Sequence, residues 1–261
     1  MARVYPLFSS SKGNATYIGT PSSGILIDVG VSCKRLCEGL EVCGIDSDAI
    51  KAVFITHEHS DHISGLSVFT KRFNIPVYAQ EKTLDKLIRE NRISPKSRAE
   101  VITESFIEEN GMLMKCFNTP HDTIESCGYR IHTPDGKKIT VCTDLGNITS
   151  VVEENLIGSD FVLLESNYDE QMLKTGSYPY YLKKRISSSN GHLANKDCAR
   201  IVRTLVETGT TRIVLGHLSQ ENNRPHIAEG ATLEQLSGLE RNKDYLLSVA
   251  PVATEGMMCV L

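Results

Sequence analysis

Ala52-Val53-Phe54-Ile55-Thr56-His57-Glu58-His59-Ser60-Asp61-His62 is the stretch on which the reading of this chain turns. Its four leading apolar residues read as a buried strand. Three histidines and an aspartate then fall within six positions, 57 to 62. Imidazole nitrogen and carboxylate oxygen are the donors that borderline dications such as Zn²⁺ accept. Four of them at the end of one strand have the compact spacing of a metal site, which packing alone does not explain. Glu58 and Ser60, between the candidate ligands, are not assigned to metal.

Three more residues stand where ligands could stand. His121 lies in Asn118-Thr119-Pro120-His121-Asp122, just past an expected strand. Asp144 follows Ile139-Thr140-Val141-Cys142-Thr143, and His217 follows Ile213-Val214-Leu215-Gly216. Each polar side chain sits at the terminus of an apolar run, where a loop can carry it into a shared cleft. His132, beside the Asp135-Gly136 turn, and His226, after Pro225, read as non-ligands.

The remaining elements follow from periodicity and punctuation. Residues 4–8 and 15–18 read as a hairpin around a polar turn over 9–14, and residues 24–30 as a third strand. Ser32 caps a helix running to about residue 43, which Gly44 ends. Further helices are expected over 63–73, 81–90, 149–156, 195–207 and near 227–239. Strands are expected over 75–79, 112–117, 127–133, 138–142, 161–165 and 212–215, and near 245–249 and 257–261. Residues 174–190 form the one irregular stretch. The order suggests two sheets enclosed by helices.

Composition narrows the class. With 261 residues, 40% of them hydrophobic and 23% charged, the chain has an ordinary globular make-up. No repeat, low-complexity tract or linker divides it, so residues 1–261 are expected to form a single domain. No run approaches the roughly 18 apolar residues of a membrane span, and the N-terminus lacks the apolar core of a signal peptide. A soluble, cytoplasmic protein is expected. The eight cysteines form no CxxC pair, and reduced thiols suit that compartment. A net charge of −4 does not advertise a nucleic-acid binder. It does not exclude one, since bound dications and a local basic patch can supply the field.

His57-Glu58-His59-Ser60-Asp61-His62 resembles the HxHxDH motif of the metallo-β-lactamase superfamily, with His121, Asp144 and His217 in that superfamily's order. More closely, the chain resembles the WalJ/YycJ family of bacterial metallohydrolases. The supporting stretches are Ser10-Ser11-Lys12-Gly13-Asn14, Gly24-Ile25-Leu26-Ile27-Asp28, Glu165-Ser166-Asn167, Tyr178-Pro179-Tyr180, Gly191-His192-Leu193 and His217-Leu218-Ser219-Gln220-Glu221-Asn222-Asn223. The resemblance implies an α/β fold, the αββα sandwich of two mixed β-sheets flanked by helices. It implies two divalent ions, Zn²⁺ or Mn²⁺, with Fe²⁺ also accepted by such ligands. His57, His59 and His121 would hold the first ion and Asp61, His62 and His217 the second. Asp144 would bridge them, together with a hydroxide acting as nucleophile.

Two dications side by side suit phosphodiesters best, because charge grows on non-bridging and leaving oxygens together. The resemblance points to a 5′-to-3′ exonuclease on DNA, in repair. DNA is thereby favoured over RNA, and the chain lacks room for the extra domain of the larger RNase J-type nucleases, so no long clamp around RNA is expected. It also shows no long arm like that of tRNase Z enzymes. Asp61, His192 and Glu165 are the implied catalytic residues. His192 resembles the histidine that binds phosphate or protonates the leaving oxygen, and Glu165 the acid that orients it. Lys183, Lys184 and Arg185, interleaved with Tyr180, suit a nucleic-acid strand; a solvated helix over packed tyrosines is the competing reading. Asn222 could line the cleft. The functional alternative is a small-molecule hydrolase of the same fold, acting on a cyclic phosphodiester, lactone or thioester.

Overall fold

Strand-forming runs of buried residues build two seven-stranded sheets in this computed structural model, which describes residues 2–261. The first sheet contains β1 (Arg3–Ser10), β2 (Gly13–Thr20), β3 (Ser23–Ile27), β4 (Ile50–Phe54), β5 (Val77–Ala79) and β6 (Ala99–Val101). The second contains β7 (Ile107–Glu109), β8 (Met112–Asn118), β9 (Cys127–His132), β10 (Lys138–Cys142), β11 (Phe161–Glu165), β12 (Arg212–Gly216) and β13 (Leu246–Val249). β14 (Cys259–Val260) returns to pair with β1 at the edge of the first sheet. Each sheet is mixed in the same way. β1 to β3 are antiparallel, and β3 to β6 run parallel. β7 to β10 are antiparallel, and β10 to β13 run parallel.

The helices are α1 (Cys33–Val42), α2 (Ser60–Ile63), α3 (Leu66–Phe73), α4 (Glu81–Arg89), α5 (Ser150–Leu156), α6 (Glu170–Thr175), α7 (Tyr180–Ile186), α8 (Asn195–Glu207) and α9 (Pro225–Gln235). α1, α3 and α4 cover the outer face of the first sheet, and α5, α8 and α9 that of the second. Leu36, Leu40, Phe69, Leu84 and Leu87 pack with Tyr17, Leu26 and Val53 of the first sheet. Val152, Leu156, Ile201, Val202 and Leu205 pack with Val162, Leu164, Ile213 and Leu215 of the second. The facing sheets bury a third apolar cluster, in which Phe54 stacks on Tyr78 at 4.6 Å and meets Tyr129 edge-on at 5.7 Å. The strands of each sheet are therefore buried on both faces, which explains why they read as near-continuous apolar runs.

Four local expectations are corrected. The six-residue polar turn is a two-residue one, Ser11-Lys12, because Asn14 bonds the Ser10 backbone in both directions and draws Ser9 and Ser10 into the ladder. The helix expected over 63–73 is two helices broken near Gly65. There the backbone passes so close to Val31 that a Cβ would stand 2.0 Å from its carbonyl oxygen. The stretch read as irregular contains α6 and α7. Neither shows a core-facing stripe: α7 buries no residue, and α6 buries only Leu173. The short strands β6 and β7 were not expected. All eight cysteines are free, and no helix among the described residues is long and apolar enough to cross a membrane.

Candidate metal centre

The carboxyl ends of the parallel strands carry the polar residues, and open α/β sheets bind ligands at such ends. Asp28 follows β3, His57 lies just beyond β4, Asp144 just beyond β10, Glu165 ends β11 and His217 follows β12. Asp28, Asp144 and His217 adopt left-handed backbone conformations, with φ of 63°, 60° and 53°. That turn at the strand end brings each side chain back across the sheet edge. The site lies between the ends of the two sheets, with α2 supplying Asp61 and His62.

Donor atoms of His57, His59 and His121 all lie within 4.8 Å of one another, and so do those of Asp61, His62 and His217. Asp144 stands between the groups. Its Oδ2 is 3.2 Å from His62 Nε2, and its Oδ1 is 3.7 Å from His121 Nε2 and 3.6 Å from His217 Nε2. The Nε2 atoms of His57, His121 and His217 are buried and have no hydrogen-bond partner among the described residues. Three buried ring nitrogens that face one space without a hydrogen-bond partner are costly unless something else occupies that space. The donor set of nitrogen and carboxylate oxygen fits a borderline dication.

The imidazoles of His57, His62, His121 and His217 are aimed by their other nitrogen, as metal-ligating histidines generally are. His62 Nδ1 bonds Asp28 Oδ2 at 2.7 Å, His121 Nδ1 bonds the Gly191 carbonyl at 2.8 Å, and His57 Nδ1 lies 3.0 Å from Thr56 Oγ1. Asp28 in turn accepts from both the backbone N–H and the hydroxyl of Thr56, at 2.8 Å each. Glu165 is fully buried and saturated. Its Oε1 accepts from His192 Nδ1 and His217 Nδ1, both at 2.8 Å; its Oε2 accepts from the amides of Leu145 at 2.9 Å and Leu193 at 3.2 Å.

Electrostatics follow this wiring. Burial pushes the His57 pKa well down, the neighbouring imidazoles adding to the effect. Burial would also depress His217, but the charge of Asp144 and the hydrogen bond to Glu165 outweigh it and push it up to about 10. His192 is raised, the Glu165 charge and hydrogen bond overcoming burial. Burial would raise Asp144 and Glu165, yet the imidazoles around them hold both below the usual carboxylate range.

Beside His192 opens a pocket of about 160 Å³, lined by Ser11, Asn167, Tyr178, Leu182, Arg185 and Ser219 among others. Of the residues read as substrate contacts, Arg185 reaches it but is ion-paired with Asp122. Lys183 donates to the carbonyls of Lys174 at 2.9 Å and Gly176 at 2.6 Å, closing the end of α6. Lys184 lies over the exposed Tyr180 ring at 5.0 Å. Tyr180 and Tyr181 are 73% and 74% exposed, so no tyrosine layer is packed beneath α7. Asn222 is not among the residues lining this pocket, and Asn167 and Ser219 are. His132 and His226 lie outside the donor groups.

Sequence reasoning missed Asp28 as an orienting residue, although it repeats the pattern that singled out Asp144 and His217: a polar residue after an apolar run. It also missed the second partner of Glu165, since His217 lies 52 residues downstream.

Comparison with known proteins adds an independent line. Residues 25–218 match the family model described as a beta-lactamase superfamily domain. The chain is 32% identical over 223 residues to exodeoxyribonuclease YycJ of Bacillus anthracis, spanning 85% of this chain and 84% of that one. It is 32% identical over 234 residues to exodeoxyribonuclease WalJ of Streptococcus pneumoniae, spanning 88% and 87%. The solved structure of the metallo-β-lactamase fold protein YhfI from Bacillus subtilis superposes with a TM-score of 0.75 at 14% identity over 100% of both chains, a likeness of fold.

Proposed function

The chain is a hydrolase of the metallo-β-lactamase superfamily, in the family of the YycJ and WalJ exodeoxyribonucleases, and from that premise we propose that it is a two-metal phosphodiesterase that degrades DNA from 5′ to 3′. The observation that carries this reading is the pairing of two three-residue donor groups across one carboxylate, Asp144. His57, His59 and His121 would hold one ion, Asp61, His62 and His217 the other, with Asp144 shared. Bound there, Zn²⁺, Mn²⁺ or Fe²⁺ supplies Lewis acidity toward phosphate oxygens and a lowered pKa for water.

The chain's own groups do the rest. Glu165 fixes His192 with Nδ1–H inward, so its Nε2 is the nitrogen left for substrate. From that position His192 binds a phosphate oxygen or hands a proton to the leaving oxygen. Ser11, Asn167 and Ser219 offer neutral polar groups to the substrate, against an apolar wall of Tyr178 and Leu182. Tyr180 and Tyr181, on the helix whose Leu182 and Arg185 line this pocket, are exposed and offer ring surface as stacking platforms for bases of a single strand, with Lys184 over one face of Tyr180. Of the three clustered cations, Lys184 is the one that makes no ion pair or carbonyl contact among those described, which leaves it for phosphate. We read residues 1–261 as one catalytic unit, and a DNA substrate as placing it in the cytoplasm.

The test is direct. EDTA-treated protein reloaded with Mn²⁺ or Zn²⁺ is assayed on 5′-phosphorylated duplex DNA, single-stranded DNA, RNA and a small chromogenic phosphodiester. Metal-dependent release of 5′ nucleotides from DNA, abolished by Asp61→Ala and lowered about 10²–10⁴-fold by His192→Ala, is the expected result. Turnover of the small diester with no nucleic acid degraded would replace this reading with small-molecule hydrolysis. Preference for RNA would overturn the DNA assignment.

A further inference from the structure

Glu58 lies inside the histidine motif yet belongs to neither donor group. It does not point to solvent, as a carboxylate on a loop ordinarily would: its side chain is 6% exposed. Its Oε1 accepts from the backbone N–H of Ile124 at 3.2 Å and from Lys86 Nζ, on α4, at 3.2 Å. Ile124 sits in the loop between β8 and β9, three residues past His121. One carboxylate thus joins three segments. Two belong to the first sheet's half of the molecule, and the third carries the ligand contributed by the second sheet.

This matters because the first donor group is split between those halves. His57 and His59 come from the loop after β4, and His121 comes across the cleft. The same junction is reinforced by Glu125, whose Oε2 accepts from the Lys82 amide at 2.7 Å and whose carbonyl accepts from Thr83 Oγ1 at 3.3 Å. The Cys127 amide reaches the Thr56 carbonyl at 3.2 Å. Glu58 is the member of this junction placed between two of the ligands themselves, so its reach sets how closely the His121 loop approaches His57 and His59.

We propose that Glu58 is a positioning residue for the first metal ion: a side-chain strut that holds the His121 loop against the histidine motif. The inference rests on the two-ion reading above. It needs Glu58 as a hydrogen-bond acceptor of the right length, and its charge is secondary because the Ile124 N–H that it holds is a neutral donor.

Length and charge can be separated. Glu58→Asp keeps the charge but withdraws the carboxylate by about 1.5 Å, beyond reach of the Ile124 amide. Glu58→Gln keeps the reach and an acceptor oxygen without the charge. Mn²⁺ is titrated calorimetrically into EDTA-treated wild type and both variants, with melting of the metal-free proteins followed in parallel. The expected result is two ions in wild type and in Glu58→Gln. In Glu58→Asp one of the two should bind about 10–100-fold more weakly, the cost seen when a residue behind the ligands is lost. Ile124→Pro, which deletes the donor and leaves Glu58 intact, should reproduce that selective loss. Unchanged affinities in Glu58→Asp overturn the strut, as does a lowered metal-free melting temperature with both ions still tightly held. Weakening in Glu58→Gln equal to that in Glu58→Asp assigns the effect to charge and overturns it too. Fewer than two ions in wild type instead defeats the two-ion reading, whatever Glu58 does.

Discussion

Replacing Glu165 by glutamine changes one oxygen to an NH₂ group and almost no volume, yet neither orientation of the amide leaves both the fold and the metal site intact. The carboxylate accepts four hydrogen bonds, two per oxygen, all from buried or half-buried donors. An amide offers one accepting and one donating end, so in either orientation two donors face an NH₂. With the NH₂ toward Leu145 and Leu193, two backbone amides lose their acceptor. At about 1–3 kcal/mol for each buried donor left unsatisfied, that costs about 2–6 kcal/mol, a large share of the 5–15 kcal/mol typical of a folded domain. With the NH₂ toward the imidazoles, His192 and His217 must each turn Nδ1 into an acceptor and carry the proton on Nε2. Stability is then spared, but the His217 nitrogen that faces Asp61 and Asp144 is blocked. Urea unfolding of EDTA-treated protein measures the first outcome, and metal stoichiometry after reloading measures the second. Glu165→Gln that unfolds within about 0.5 kcal/mol of wild type and still binds metal like wild type would refute the wiring described for this carboxylate.

Two further expectations concern charge and surface. In metal-free protein His217 is raised to about 10, against an unfolded value of about 6.5. Its contribution to stability is therefore complete below about pH 6.5 and fades as pH rises toward 10. Asp144 and Glu165 are depressed, so theirs is present above about pH 4.5 and is lost as pH falls through their lowered pKa values. Above about pH 6.5, where the depressed His57 and His59 are neutral in both states, urea midpoints of the EDTA-treated protein should fall as pH rises, and a midpoint rising from pH 7 to 9 would contradict the assignment. On the surface, Tyr180→Ala with Tyr181→Ala should weaken single-stranded DNA binding by about 1–3 kcal/mol per lost stacking partner while leaving turnover of a small diester unchanged. Equal loss on both substrates would show that the tyrosines support the fold of α7 and do not contact bases.

What could be read from the sequence, and what could not, divides along a physical line. The strands were legible because burial on both faces writes them as continuous apolar runs, and the ligands because each follows such a run. His57 to His62 were conspicuous through local density alone. Glu165 and His192 entered through family resemblance, but the double hydrogen bond from Glu165 Oε1 joins residues 165, 192 and 217, a relation no local pattern carries. α7 was invisible for the opposite reason: it buries nothing, so it leaves no apolar stripe. The serine run misled because a buried hydroxyl that bonds backbone looks, in one dimension, like a solvated turn. Lys183 and Arg185 read as free cations, since sequence cannot show that a carbonyl pair and Asp122 already occupy them.

The left-handed backbone at Asp28, Asp144 and His217 has a consequence for how such a protein changes over time. Each holds a side chain in a conformation that glycine adopts at no steric cost, against about 1–2 kcal/mol for an ordinary residue. Drift or laboratory selection that rewards folding alone should therefore favour glycine at these three strand ends, removing strain and buried charge together. Every such gain deletes a ligand or its support. A stabilised descendant with glycine at these positions would keep the sandwich and lose the metal centre, so the residues there report whether a chain of this fold is still under selection for chemistry.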